Sequence, residues 1–264
     1  MLYSQLHHFS AVQEQPAVVF LHGLLGSGDD WLETLNLLPD YACLCIDLPG
    51  HGQSNGIICQ GFEHCCDMIV DAISSHFPPE MPIILVGYSM GARIAMHGLA
   101  HDCFSRLNIC LSLLEGGNFG LDTVSDKQAR WENDVRWAER FCREPIEQVL
   151  ADWYQQAVFA ELTCERRQAV IAKRSKNNAA QVASMLKATS LAKQDYLLDR
   201  LKLTSVPIHY IFGDKDVKFR QMAEQSGLAF TQVNAAGHNA HQEQPAAFSE
   251  IIRHHIRLMY ESIR

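Results

Sequence analysis

VGYSMGAR (Val86–Arg93) sets one serine between two glycines, directly after an apolar run and directly before a helical pattern. Pro82–Val86 reads as a buried strand and Gly91–His101 as a helix. A strand that turns straight into a helix forces the residue at the bend into a strained backbone conformation, and small neighbours are needed because the adjoining backbone passes close by. The strain lifts the Ser89 hydroxyl to the C-terminal edge of a sheet, above a helix N-terminus that favours developing negative charge. G-x-S-x-G also occurs by chance, as a plain structural turn. The strand before it and the helix after it carry the nucleophile reading.

The rest of the chain supplies such a sheet. Ala17–Leu21, Ala42–Leu48, Leu107–Leu114, Val206–Phe212 and Ala229–Val233 join Pro82–Val86 as nearly continuous apolar runs, the pattern of strands buried on both faces of a mainly parallel sheet. Helices are expected between them: one opened by a capping box at Asp30-Trp31-Leu32-Glu33 and stopping near Pro39, one over Gly61–His76, and a last one over Pro245–Ile263. Alternating strands and helices make an α/β fold with helices on both faces. From residue 117 to 200 no strand is convincing. That stretch carries thirteen Lys and Arg against twelve Asp and Glu, while the remainder is strongly acidic. It reads as a helical lid (117–200) set into a core made of 1–116 and 201–264; the alternative is a run of ordinary sheet-flanking helices. Arg166–Lys176 reads as a solvated helix face.

A serine hydroxyl needs a base, and the base needs an orienting carboxylate. His238, in AGHNAH just after the last strand, is the expected base, with His241 as its rival. Asp216, in GDKD after the strand Val206–Phe212, is the expected carboxylate, with Asp214 as the alternative. An early loop, LHGLLG from Leu21, offers the amide of Leu24, which with the amide of Met90 can converge on an oxyanion. His22 is read as bracing that loop, and DLPGHGQS (47–54) as a structural turn. Arg93 lies one helical turn after Ser89 and so projects from the same face, where a guanidinium fork can grip a carboxylate. The competing reading for Arg93 is a surface ion pair.

Composition bounds the rest. With 264 residues, 47% of them apolar, the chain can bury a sizeable core, and a net charge of −8 argues against nucleic acid as a partner. Nine cysteines at no metal-type spacing read as reduced, mostly buried thiols. The N-terminus lacks a secretory pattern and no 18-residue apolar run exists, so no membrane partner and a cytoplasmic location are expected. No zinc motif and no strand-linked G-x-G-x-x-G occur, so neither metal nor cofactor is expected. A monomer and a weak homo-oligomer both stay open.

The residues HG (22–23), DLPGHGQS (47–54), GYSMG (87–91), GDKD (213–216) and GH (237–238) together resemble the α/β-hydrolase superfamily, in the chain order Ser89, Asp216, His238. That resemblance implies a helical lid after the sixth strand of the fold. A narrower resemblance, to the menaquinone-pathway synthases that make 2-succinyl-6-hydroxy-2,4-cyclohexadiene-1-carboxylate, is carried by GYSMGARIAMHGL, EGGNFGL (115–121), ARWENDVRWAERF (129–141), GDKDVKFR (213–220) and AGHNAHQEQP (236–245). It runs through the lid and implies a lyase without a cofactor. Such an enzyme takes a proton from the ring of an enolpyruvyl cyclohexene and expels pyruvate from the neighbouring carbon, with Ser89 as the base. Its small, multiply carboxylated substrate calls for cations, which makes Arg93, Arg130 and Lys218 candidate ligand-binding residues, with Tyr88 and Trp153 as candidate walls or else core. A carboxylesterase or carbon–carbon hydrolase with the same triad is the main competitor. A non-catalytic binding protein is disfavoured by the complete triad.

Overall fold

Ser89 stands at the centre of a single seven-stranded sheet, in the order β1-β3-β2-β4-β5-β6-β7. The computed structural model describes residues 1–8 and 15–261. The strands are β1 (Ser4–His7), β2 (Ala17–Leu21), β3 (Cys43–Ile46), β4 (Ile83–Tyr88), β5 (Ile109–Glu115), β6 (Ile208–Gly213) and β7 (Ala229–Val233). β1 runs antiparallel to β3, and all other neighbouring pairs are parallel. β1 escapes the sequence pattern because it is a short, half-exposed edge strand, SQLH, with no buried apolar run.

The helices are α1 (Leu32–Asn36), α2 (Phe62–Ser74), α3 (Met90–Ala100), α4 (Val124–Arg143), α5 (Ile146–Trp153), α6 (Cys164–Arg174), α7 (Ala179–Ala188), α8 (Leu198–Leu203), α9 (Val217–Ser226), α10 (Ala240–Glu243) and α11 (Pro245–Glu261). Residues 262 and 263 of the expected last helix lie outside the described residues. Successive strand residues face opposite layers. Val19 and Leu21 of β2, Leu44 and Ile46 of β3, and Leu85 of β4 pack against α2 and α3. Val18, Phe20, Cys43, Cys45 and Val86 pack against Trp31, Phe248 and Ile252 on the other side. All nine cysteines are free, and five are buried.

The helices α4 to α8 lie between β5 and β6, so the helical segment follows the fifth strand of this chain and not the sixth. It has a core of its own, in which Ala138, Phe141, Val149, Leu150, Val182 and Leu186 close over Leu25. The expected boundary at residue 200 falls inside α8, whose Leu198 and Leu201 belong to the main core.

An ion pair fastens this segment to the turn that follows β2. Asp30 does not open α1. Ser27 begins a 3-10 turn over Gly28–Trp31, and its N–H donates to Asp30 Oδ2 at 3.3 Å. The buried Asp30 carboxylate then accepts from Arg174 Nη2 at 2.6 Å and Lys173 Nζ at 2.8 Å, both at the end of α6. Burial opposes its ionisation, but Arg174 and then Lys173 prevail and hold the carboxyl well below the usual range. Arg174 is therefore the buried exception on the helix face that reads as solvated. Without Arg174 the buried Asp30 carboxylate keeps only Lys173, whose side chain is half-exposed, and loses its buried partner. Arg174→Met is expected to lower unfolding free energy by about 3 kcal/mol, and adding Asp30→Asn to restore much of it, measured by urea denaturation.

Candidate active site

β4 ends at Tyr88 and α3 begins at Met90, leaving Ser89 alone to make the bend, at φ 51° and ψ −105°. This is a left-handed φ that non-glycine residues rarely adopt. A side chain at Gly91 would run into the carbonyl oxygens of Leu21 and His22, so the second glycine of the motif is required by the close passage of α3 over β2. The Ser89 N–H donates to the carbonyl of Glu115 at 2.8 Å, tying the bend to the end of β5.

His238 Nε2 lies 3.3 Å from Ser89 Oγ, and His238 Nδ1 lies 2.7 Å from Asp216 Oδ2. A carboxylate only accepts, so Nδ1 carries the proton and Nε2 is free to take one from the serine. Asp216 Oδ1 accepts from the Phe219 N–H at 3.3 Å and caps α9, and the Phe219 ring stacks on His238 with centroids 4.8 Å apart. Gly116 has φ 57°, and a Cβ there would sit 2.7 Å from His238 Cε1, so the imidazole rests on bare backbone. The alternatives stand elsewhere. Asp214 Oδ1 accepts from the Ala236 N–H, and His241 is buried against Glu115.

Leu24 and Met90 both line the cavity above Ser89. Met90 is the first residue of α3, so its amide has no intrahelical acceptor. Two buried imidazoles set the loop that carries Leu24. His22 accepts from the Leu48 N–H through Nε2 at 2.9 Å and gives its Nδ1 proton to the Gly23 carbonyl at 2.7 Å. His51 accepts from the Leu25 N–H at 2.9 Å and gives its Nδ1 proton to the Pro49 carbonyl at 2.9 Å. Only the neutral ring can accept in this way. Burial pushes His22 down to about 4; burial, then His22 itself, pushes His51 down to about 3. His22 thus braces the loop as expected, and DLPGHGQS, expected as a turn, also provides the second brace.

The cavity holds about 340 Å³ and is lined by Ser89, His238, Arg93, Arg130, Lys218 and Trp153 among others. Arg93 projects from α3 and donates through Nη1 to the Thr189 carbonyl at 2.8 Å and Gln194 Oε1 at 3.3 Å, while its Nη2 and Nε make no hydrogen bond among the described residues. It sits over the Phe62 ring, and burial, then the charge of Arg130, lowers its pKa. Arg130 Nε donates to Asp134 Oδ1 at 2.8 Å, and Asp134 Oδ2 accepts from Ser190 at 2.7 Å. Lys218 stands at the rim, where the walls around its ammonium, then Arg130, draw its pKa down. Desolvated cations held near one another favour an anion. Trp153 forms a wall and meets Trp137 edge-on.

Tyr88 does not line the cavity. It lies beneath it, buried, with its hydroxyl donating to Asn239 Oδ1 and its ring against His238 and His241. It belongs to β4, and the residue before the bend points below the sheet edge when Ser89 points above it. Several lining residues were not anticipated from the sequence. Asp134 could have been found as the i+4 partner of Arg130. Asn118, Gln156 and Thr189 left no signal, because they reach the cavity from loops and helix ends.

Residues 16–245 match the family model described as alpha/beta hydrolase fold. The chain belongs to the α/β-hydrolase family. Within that family it is 45% identical over 238 residues to the 2-succinyl-6-hydroxy-2,4-cyclohexadiene-1-carboxylate synthase of Yersinia enterocolitica, covering 90% of this chain and 85% of that protein. It is 46% identical over 235 residues to the synthase of the same name from Yersinia pseudotuberculosis, covering 89% and 85%. The structure of MenH from S. aureus superposes with a TM-score of 0.87 at 25% identity, over 97% of this chain and 98% of that one. A thermophilic esterase from Thermogutta terrifontis shares the fold, with a TM-score of 0.79 at 22% identity over 97% and 93%. Among the described residues no helix is long and apolar enough to cross a membrane.

The two bracing histidines give this α/β hydrolase a pH signature. Their folded pKa values lie below the unfolded value of about 6.5, so the unfolded chain binds more protons as pH falls, and stability is lost from about 6.5 downward toward 4 and 3. At pH 5 each histidine is expected to have removed about 2 kcal/mol relative to pH 7. Melting temperature measured from pH 7 to 5 should fall, and His51→Gln should melt lower at pH 7 yet show a shallower pH slope.

Proposed function

We propose that this chain is a carbon–oxygen lyase that eliminates pyruvate from 2-succinyl-5-enolpyruvyl-6-hydroxy-3-cyclohexene-1-carboxylate, giving 2-succinyl-6-hydroxy-2,4-cyclohexadiene-1-carboxylate, in menaquinone (vitamin K2) biosynthesis. The observation that carries this reading is that Arg93, Arg130 and Lys218 share one cavity with the Ser89–His238–Asp216 array, in a chain close to synthases of that product. An ester pocket needs no such cluster, whereas a substrate with three carboxylates does. The nine free thiols fit a cytoplasmic setting, and helices α4 to α7 serve as the lid over the cavity.

The substrate and product names define the elimination. The ring double bond at C3 becomes a 2,4-diene, so the proton leaves C2, next to the succinyl ketone, and the leaving group departs from C5. The expected departure from the neighbouring carbon is replaced by one relayed through the double bond. In the proposed path Ser89 Oγ passes its proton to His238 Nε2 and takes the C2 proton. The C2–H pair becomes C2=C3, the old double bond shifts to C4=C5, and the C5–O bond breaks. Pyruvate leaves as its enolate and receives the proton held by His238. Asp216 keeps the imidazole in the required tautomer. While C2 is losing its proton, charge grows on the succinyl ketone oxygen, where the amides of Leu24 and Met90 would stabilise it. The arginines orient the carboxylates and hold the ring for that transfer.

The test is pyruvate release from the enolpyruvyl substrate, read through a coupled lactate dehydrogenase assay, with a neutral p-nitrophenyl ester in parallel. Ser89→Ala is expected to lower pyruvate release by about 10³-fold or more. Arg93→Ala with Arg130→Ala is expected to lower kcat/KM on the ring substrate by about 10²-fold or more, with ester cleavage little changed. A double variant that keeps full pyruvate release would remove the two arginines from substrate binding, whereas a wild-type protein that releases no pyruvate yet cleaves the ester in a Ser89-dependent way would remove the lyase reading and leave a hydrolase with the same triad.

A further inference from the structure

Beside the Asp216–His238 pair lies a second carboxylate–histidine pair for which the mechanism has no use. Glu115, the last residue of β5, and His241, in α10, have side chains about 1% and 0% exposed. Glu115 Oε2 is 2.7 Å from His241 Nδ1, and Glu115 Oε1 accepts from the His241 backbone N–H at 3.2 Å. The imidazole is stacked on Trp31 with centroids 4.1 Å apart and abuts Tyr88 at 4.7 Å. Neither residue reaches the cavity.

We infer that Glu115 is the positioning residue that sets the Ser89–His238 distance, by clamping the serine bend with its backbone and the histidine loop with its side chain. The carbonyl of Glu115 receives the Ser89 N–H at 2.8 Å. Its carboxylate holds His241, three residues beyond His238 in the first turn of α10, which continues the His238 loop. Between these anchors Tyr88 donates to Asn239, the residue after His238, closing a ring of contacts from the bend to the loop. Both residues fall in stretches, EGGNFGL and AGHNAHQEQP, whose other members make the glycine seat and the base. Burying a carboxylate against an imidazole is poorly repaid as stabilisation alone. Its geometric effect is to fix two loops that approach from different strands, and a misplacement of about 1 Å at a reacting pair can cost about 10²-fold in rate. The inference rests on Ser89 and His238 acting together, and not on which ring substrate is turned over.

Glu115→Gln tests it. Both carboxylate contacts are with N–H groups, so a glutamine can satisfy one and must oppose the other with its own NH2. The expected result is a kcat lower by about 10- to 100-fold with KM within about twofold. The rate of Ser89 labelling by a fluorophosphonate, which needs the Ser–His pair and no ring substrate, should slow by a similar factor. His241→Gln should do the same, and the double variant should be no slower than the slower single one, because both act through one contact. Circular dichroism and melting identify variants that fold. If Glu115→Gln does not fold, His241→Gln alone decides. Wild-type labelling rates in a folded variant, a change confined to KM, or additive losses in the double variant would overturn the inference. Slowed labelling in a protein that releases no pyruvate would leave the clamp standing and remove only the proposed reaction.

Discussion

A serine held in a left-handed backbone conformation between β4 and α3 is the constraint on which this site depends. The strain is local, and what maintains it is not. The helix must lie almost on β2, which the glycine at 91 allows, and the serine amide must find its acceptor on β5 rather than in its own helix. Everything above the sheet edge is referenced to that point: the imidazole rests on the bare backbone of Gly116, and Arg93 follows one turn along the helix that the bend launches.

Around the bend, buried polar groups are each paired in a way that fixes one loop. Two neutral imidazoles, each accepting one amide and donating to one carbonyl, set the loop of Leu24. The Asp30–Arg174 pair joins the helical segment to that same loop from the other side. A hydrophobic contact could have supplied comparable stability, but not the direction of an amide.

How much of this was legible in the sequence depended on whether the signal was local. Five of the strands and the bend each carry a short pattern dictated by the backbone they must adopt, and the structure brings Asp216 and His238 to Ser89; Ala229–Val233 reads as a strand buried on both faces but is the exposed edge of the sheet, with only Val233 buried. Asp30 was misread as a cap because a capping pattern is also local, whereas its true partner, Arg174, lies 144 residues away. The sequence leaves Tyr88 open between cavity wall and core, and the structure makes it core, because neighbouring residues at a strand end point opposite ways. β1 was missed because four half-exposed residues at an edge have no apolar pattern to show. The Glu115–His241 pair has no sequence signal at all: the two are joined only once β5 and the loop after β7 lie side by side.

Asp134 gives the cavity a further property. It is a carboxylate already seated among the cations, bonded to Arg130 and favouring the charge of Arg93. In the resting protein it is an internal counterion, so the arginines are never left wholly unbalanced. An incoming ligand with a single carboxylate competes with an anion that is covalently present and pays no entropy to stay. A ligand with several negative groups brings more charge than Asp134 supplies, and brings it in a fixed pattern. On the proposed reading, the cavity thereby favours anions of several charges over those of one before shape is tested.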